Sequence, residues 1–379
     1  MKVCHLFYQK KKYGGSESYV ELLEKYSKHI HKREYVNKKY PYLPSILDTL
    51  LGFRDLARRV VSSGKYDIIH SHFFIPAYYV QKFGGKSVIT SHCLLSEEYK
   101  SAIHDAPDLI SKIDMFLSWK ICVLLEKYMY PKLKNLLVLS KFHAEELKKL
   151  KTFPKILYPP IDIKQFRTNK NKKMLRKKLG IPNKFTLLFL ARPTYLKGLH
   201  VLIKCINLIK DLNFQLIIVG ESYQIQKNTL CYLPCVRSSK IFKKGNFFFR
   251  MKVDPSRIII IKEKKHEEIQ EYFKASDVLI CPSLYEAFGF VNMEAMASKI
   301  PVIASKVGGI PEIVRDRYNG LLFNPGDAKD LAKKISIFLK SLKMRKRLSQ
   351  NAYDFIKRYN FPKHINYLDK FYLKIYEKN

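Results

Sequence analysis

The sequence predicts an α/β protein of two domains, and three observations carry that expectation. Short apolar runs alternate with amphipathic stretches along most of the chain, as in open sheets covered by helices. Several runs end in glycine-containing loops that lead directly into a helical pattern, the arrangement that places ligands at the carboxyl ends of strands. At 379 residues the chain is also long enough for two cores of ordinary size.

The stretch from Cys281 to Val314 organises the rest. The apolar run Val278-Leu279-Ile280 ends in Cys281-Pro282-Ser283, a buried strand running out into a loop. Glu286 stands in that loop, ahead of Phe288-Gly289-Phe290, and a helical segment over Val291–Ser298 carries Glu294. Pro301 precedes a second buried strand, Val302-Ile303-Ala304; Gly308-Gly309 forms a loop, and Pro311-Glu312 reads as a first helical turn. A glutamate on a short helix is usually solvated. Here both glutamates are embedded in apolar and glycine-rich sequence, where solvated carboxylates are uncommon, and a carboxylate is a natural acceptor for a vicinal diol.

Along the chain, Lys2–Tyr8 reads as a strand, followed by a basic loop and Gly14-Gly15; Ser16-Glu17 suits a helix start. Strand, glycine loop and helix N-terminus in that order can form an anion pocket from backbone N–H groups, or simply a tight turn. No second strand is legible in residues 30–66. Asp67–His72 and Ser87–Ser91 are strands, and the latter ends at His92. A lone histidine after a strand is more often structural than catalytic, and His70 and His72 are expected in or beside the sheet. Residues 108–131 read as helix, Leu136–Leu139 as a strand, and Arg167–Lys178 as linker and exposed helix. Phe185–Leu190, Leu216–Gly220 and Arg257–Ile261 are further strands. Arg192 and Lys197-Gly198 lie between the first of these and the helix Leu199–Ile209. Residues 222–256 hold seven basic side chains, one acid and the cluster Phe247-Phe248-Phe249, which suits either an interfacial membrane contact or a loop packed on its domain. The last helix carries Ile365, Leu368, Tyr372 and Ile375 on one face.

The formal charge of +37 favours anionic partners such as lipid headgroups, nucleic acid or acidic substrates, although a lysine-rich proteome would give the same excess. Seven scattered cysteines suggest no disulfide framework, and Cys231-x3-Cys235 has no second pair to complete a zinc site. Met1-Lys2 leads straight into a strand, so no signal peptide is expected, and Ile113–Tyr130 is too charged for a membrane span. A cytoplasmic protein, peripheral on a membrane at most, is the expectation.

E-x7-E (Glu286 and Glu294), the alanine-containing helix, the Pro-Val strand, the Gly-Gly loop and Glu312-Ile313-Val314 together resemble the group-1 family of retaining nucleotide-sugar glycosyltransferases. Ala191-Arg192-x4-Lys197-Gly198 resembles the family's phosphate-binding pair. The resemblance implies the GT-B fold, two facing Rossmann-like domains with a central interdomain crevice, over nearly the whole chain. It places an N-terminal acceptor-side domain at 1–165, a donor-binding domain at 166–361, and a final helix at 362–379 crossing back to the first. It implies that Glu286 and His92 contact the donor sugar, Arg192 and Lys197 the departing diphosphate, and Glu294 the ribose. Gly15 would offer its amide to the donor phosphates, with Ala287, Phe288 and Gly289 shaping the donor loop. Ala191, Ala287 and Lys299 stand where the family often has glycine. No cofactor and no metal are implied, since the nucleotide diphosphate sugar is a co-substrate and the chain has no Asp-x-Asp triplet. The expected reaction moves a hexosyl group, with retention, to a glycan or lipid-linked acceptor, near an anionic membrane surface if the basic segment docks there. Nucleic acid is not expected as a partner. The rival readings are a GT-B sugar-nucleotide epimerase and a basic nucleic-acid-binding or DNA-directed protein on the same scaffold.

Overall fold

The computed structural model describes residues 1–8, 15–37, 45–105, 109–166, 170–192, 194–220, 223–226, 228–232, 249–262, 264 and 266–377. The chain divides into two units. The first comprises Met1–Ile103, Ile110–Pro160 and Phe361–Asn379, and the second His104–Leu109 and Ile161–Asn360. The division at Pro160 comes a few residues before the expected one, because Ile161 pairs with Asn360 and its N–H bonds Tyr359 O at 2.9 Å.

In chain order the first unit contains β1 (Lys2–Phe7), α1 (Gly15–Tyr26), β2 (Ile30–Tyr35), α2 (Ser45–Ser62), β3 (Ile68–Ser71), α3 (Phe74–Lys82) and β4 (Ser87–Ser91). Next come α4 (Leu95–Asp105), α5 (Leu109–Met129), β5 (Leu136–Val138), α6 (Lys141–Lys148) and β6 (Lys155–Ile156). The strands form one parallel sheet in the order β2-β1-β3-β4-β5-β6. β2 escaped the sequence reading because it is an edge strand, Ile-His-Lys-Arg-Glu-Tyr, with only His31 buried; Arg33 reaches back to Glu24 at 2.6 Å. Helix α1 starts at Gly15, so Ser16 lies inside it and not at its cap. Gly14 lies outside the described residues.

The second unit contains α7 (Lys172–Leu179), β7 (Phe185–Leu190), α8 (Leu199–Leu208), β8 (Phe214–Val219), β9 (Tyr223–Gln226), β10 (Thr229–Tyr232), β11 (Phe249–Lys252) and β12 (Ile258–Ile261). After them come α9 (His266–Ala275), β13 (Val278–Cys281), α10 (Phe290–Ala297), β14 (Val302–Ser305), α11 (Ile310–Ile313), β15 (Leu321–Phe323), α12 (Ala328–Lys340) and α13 (Leu342–Ile356). Its main sheet is again parallel, in the order β12-β8-β7-β13-β14-β15. Strands β9 to β11 form a separate antiparallel sheet, and its Tyr223 and Leu230 pack into the unit's core. Phe247, Phe248 and Cys235 lie outside the described residues. The 167–178 stretch is not simply linker and exposed helix. Arg176 is buried on α7, donating to Asp277 Oδ2 at 2.7 Å, Ala275 O at 2.9 Å, Asn183 Oδ1 at 2.8 Å and Thr186 Oγ1 at 3.0 Å. Asp277 also accepts the Thr186 N–H at 2.8 Å, so this ion pair stitches α7 to β7 and to the loop before β13.

The last helix, α14 (Phe361–Tyr376), belongs to the first unit, where Phe361, Ile365, Leu368, Phe371, Tyr372 and Ile375 join Val3, Phe7, Ile68 and Val88 in one core. Beneath it lies a row of imidazoles. His31 Nδ1 meets His5 Nε2 at 2.7 Å, His5 Nδ1 meets His72 Nε2 at 3.0 Å, and His72 Nδ1 meets His92 Nε2 at 3.1 Å. His70 is held separately, by Tyr372 Oη at 2.6 Å and Thr90 Oγ1 at 2.8 Å. Ring nitrogens of His5, His70 and His72 lie within 4.8 Å of one another, close enough to suggest a metal site. Yet every nitrogen of these three rings already has a partner, so ligation would break bonds that the fold makes without an ion.

The four-ring chain has a direction. His31 Nε2 is buried without a hydrogen-bond partner. An orphaned buried N–H is rarer than an under-used acceptor, so Nε2 is the bare nitrogen and Nδ1 carries the proton. Each ring then donates from Nδ1 to Nε2 of the next, and His92 accepts at Nε2 and keeps its proton on Nδ1. In histidine-labelled protein at neutral pH, the nitrogen resonances lost in His92→Gln should show Nδ1 protonated and Nε2 bare; the opposite tautomer would contradict this polarity. Burial keeps the rings neutral: it pulls His92, His31 and His364 down to about 4, and His5, His70 and His72 well below the ordinary value, with help from neighbouring imidazoles for all but His364. As pH falls from about 6.5, the unfolded chain binds these protons before the folded one does. Stability is therefore complete above 6.5 and declines toward pH 4, by up to about 1.4 kcal/mol per pH unit per ring. Among the described histidines of the second unit only His200 is lowered by burial in this way. Acid should melt the first unit ahead of the second, seen as two transitions in calorimetry at pH 5 and fewer, or closer, at pH 7.5.

Candidate active site

In the second unit, the site is built where β7 and β13, neighbours in the sheet, end. After β7 the chain passes Ala191 and the exposed Arg192, makes a single turn over Tyr195–Lys197, and enters α8 through Gly198 at φ +68°. A Cβ on Gly198 would lie 1.8 Å from the Pro282 carbonyl oxygen, so this turn rests directly on the backbone that leaves β13. Leu284 N–H donates to Leu196 O at 2.7 Å across the same contact.

The loop after β13 is fixed from its other side by the Gly-Gly loop after β14. Gly308 has φ +57°, and a Cβ there would lie 1.9 Å from the Glu286 carbonyl oxygen; one on Gly309 would lie 2.3 Å from that of Ala287. Gly309 N–H donates to Glu286 O at 2.9 Å. Ser305 Oγ donates to Ser283 O. Gly289, at φ +93°, occupies the N-cap position of α10, and Ala287 and Phe288 are buried. The loop backbone is therefore set by contact with main chain on two sides, which fixes the point from which the Glu286 side chain leaves the loop.

Glu286 Oε2 receives Lys197 Nζ at 2.7 Å, and the hydroxyl of Ser283 lies 3.4 Å from the same oxygen. The pair is partly sheltered, with the lysine side chain 28% exposed and the glutamate 16%. Burial alone would lower the Lys197 amine, but the Glu286 charge and hydrogen bond outweigh it, and the amine sits above its ordinary value. Lys197 is thus a cation whose charge is balanced by Glu286. Glu294 lies half-buried on α10, two residues beyond the fully buried Asn292. Asn292 points Nδ2 at Cys281 Sγ, 3.6 Å away, and its Oδ1 has no partner.

Of the residues singled out in the sequence, Arg192, Lys197, Glu286, Ala287, Phe288, Gly289 and Glu294 all lie in this unit, on the loops after β7 and β13 and on α10. His92 and Gly15 lie in the first unit. His92 follows β4 at its carboxyl end, and Gly15 opens α1. Ser283 and Asn292 were not picked out as site residues. Nothing in their local sequence marks them; only the folded loop brings Ser283 to Glu286 and Asn292 to Cys281.

Comparison with known proteins gives this geometry a family. Residues 252–355 match the model of glycosyl transferases group 1, and residues 13–165 that of glycosyltransferase family 4. An uncharacterised glycosyltransferase of Methanocaldococcus jannaschii is 27% identical over 95% of this chain and 94% of its own. A D-inositol 3-phosphate glycosyltransferase of Stackebrandtia nassauensis is 25% identical over 79% and 66%. Among solved structures, the sucrose-phosphate synthase of Thermosynechococcus elongatus superposes over the whole of both chains with a TM-score of 0.77 at 19% identity. HepE of Anabaena, in complex with UDP and glucose, covers 99% of each chain with a TM-score of 0.71 at 18% identity. With residues 13–165 and 252–355 matched to glycosyltransferase families, and both units built as Rossmann-like parallel sheets of the GT-B fold, the protein belongs to the group-1 glycosyltransferases.

Proposed function

We propose that the chain moves a hexosyl group from a nucleotide diphosphate sugar to the hydroxyl of a glycan or lipid-linked acceptor, with retention. The observation that carries this reading is the Lys197–Glu286 pair, a carboxylate and a cation 2.7 Å apart at adjoining strand ends. Glu286 would accept from sugar hydroxyls, while Lys197 and Arg192 meet the diphosphate. Glu294 would hold the ribose diol. Gly15 N–H would face the phosphates at the start of α1, and the Nδ1–H of His92 would bond the sugar or the new bond's oxygen. The bond from the sugar C1 to the diphosphate oxygen breaks and the bond from C1 to the acceptor oxygen forms on the same face. The acceptor's proton passes to the departing diphosphate, so no dedicated base is required. HepE has been solved with UDP-glucose, which makes uridine diphosphate sugars the first donors to test.

Donor binding is tested by thermal shift against uridine, guanosine and adenosine diphosphate sugars, since a ligand of the native state stabilises it. No stabilisation by any of the three would count against the reading. If Glu294 binds ribose equally in ground and transition states, Glu294→Ala should raise donor KM more than it lowers kcat, by about 1.5–3 kcal/mol in binding. Lys197→Ala should instead lower kcat by about 100- to 1000-fold, because the diphosphate gains charge as it departs. The same signature from both variants would show that the roles are wrongly divided. Arg192, Lys197 and helix N-termini would supply the positive field that a divalent ion provides elsewhere. Activity should then survive exhaustive chelation, and loss that magnesium or manganese restores would overturn this part of the mechanism.

A further inference from the structure

Helix α5 is amphipathic the wrong way round. Its buried face is Ser111, Met115, Ser118, Cys122, Glu126 and Met129. Its outer face carries Ile110, Ile113, Phe116, Leu117, Leu124 and Tyr128, between 45% and 71% exposed. Lys112, Lys120 and Lys127 stand exposed among them. Large apolar side chains at helical spacing, gathered on the solvent side, form the kind of contiguous patch that marks an interaction surface.

The stripe runs into a cleft. Beyond Tyr128 lies a depression of about 510 Å³ whose lining includes Lys82, Lys86, Lys132 and Lys134 and no aspartate or glutamate. The two features are continuous: Lys132 Nζ sits 3.1 Å from the centroid of the Tyr128 ring, and Tyr78, another lining residue, packs against Tyr128 at 6.1 Å. Ser87 and Asn135, also in the lining, place the cleft at the amino ends of β4 and β5. His92 lies at the opposite end of β4, so an occupant of the cleft leaves it clear.

We propose that α5 docks this protein on an anionic membrane, with a phospholipid headgroup phosphate in the four-lysine cleft. A lipid surface offers both of the chemistries that adjoin here: an apolar boundary for the α5 stripe and phosphates for the lysines beside it. A second copy of the chain fits worse. Pairing the stripe with itself about a two-fold axis would bring Lys112, Lys120 and Lys127 toward the same three lysines of the other copy. Nucleic acid would satisfy the cleft and leave the leucines and isoleucines unmatched. Among the described residues no helix is long and apolar enough to cross a membrane, so attachment would be from one side. The inference does not depend on which sugar is transferred, and donor binding is measured apart from it.

The chain's one tryptophan, Trp119, lies on α5 with its ring 5.7 Å from that of Phe116, and reports on docking without any substitution. With vesicles of phosphatidylcholine and phosphatidylglycerol, its emission should shift to the blue and be quenched by bromine-labelled acyl chains. Phosphatidylcholine alone should produce little change, and added salt should weaken binding. Replacing Phe116, Leu117 and Leu124 with serine should reduce vesicle binding about 10-fold or more, and replacing Lys132 and Lys134 with alanine should remove the preference for phosphatidylglycerol. Both variants should keep the melting temperature and the donor-induced thermal shift. Unchanged Trp119 emission with all vesicles would overturn the proposal. So would self-association that the triple-serine variant abolishes, or vesicle binding fully displaced by glycerol phosphate, which would make the cleft a site for a soluble phosphate.

Discussion

Main chain resting on main chain around residues 282–287 is the constraint on which the second unit's site depends. Gly198 meets Pro282, Gly308 meets Glu286 and Gly309 meets Ala287, each at a separation that leaves no room for a Cβ. Side chains can change rotamer to relieve a crowded contact, but a carbonyl oxygen held on both flanks cannot move without shifting a strand. The loop carrying Glu286 is therefore as fixed as the sheet from which it emerges. Lys197, one residue before Gly198, is delivered to that loop by the same contact. The ion pair is short because two backbones have already been brought together, which is the sense in which such a site is preorganised.

The two units solve the problem of a buried sheet face differently. The second fills its interior with aliphatic and aromatic side chains, among them Leu187, Phe189, Leu202, Ile218, Ile280 and Phe338. The first places imidazoles and hydroxyls in the middle of its sheet and then satisfies them in series, ring to ring or ring to tyrosine. A polar interior of that kind is stable only when nearly every member is paired, and it ties the unit to one arrangement of its strands and last helix. Tyr372 and His364 on α14 contribute to this: Tyr372 bonds His70, and His364 bonds Tyr19 Oη at 2.7 Å and Tyr158 O at 2.9 Å.

The sequence was most informative where apolar runs and glycines coincide. The parallel strands β7, β8, β12, β13 and β14, the loop holding Glu286 and the helix holding Glu294 are legible, because buried parallel strands are nearly continuous apolar segments, whereas the antiparallel β9 to β11 lie in a stretch that reads as a loop. Legibility fails where tertiary partners replace local pattern. β2 is a strand because it pairs with β1, although three of its side chains in a row, Lys32, Arg33 and Glu34, are charged. Arg176 sits in a run of lysines that looks solvated, and only its bond to Asp277, distant in sequence, shows it to be interior. The histidines were read one by one as residues in or beside a sheet. Their order as a chain depends on the register between β1, β2 and β3, which no local signal encodes. α5 was seen to be a helix, yet its inverted faces emerged only once the sheet it covers was known.

The position of α14 bears on how the molecule is made. The first unit's core and its histidine row are completed by Phe361–Tyr376, the far end of the chain, whereas the second unit's main segment is the continuous stretch Ile161–Asn360. Synthesis proceeds from the N-terminus at about 5–20 residues per second, and domains generally fold as they emerge. The unit that leaves the ribosome first is therefore finished last. For the many seconds in which the second unit is being made, β1 to β6 wait with Val3, Phe7 and Ile68 uncovered and His70 lacking Tyr372. A nascent chain in that state presents an open sheet face to the cell, and a chaperone bound there would be displaced by α14.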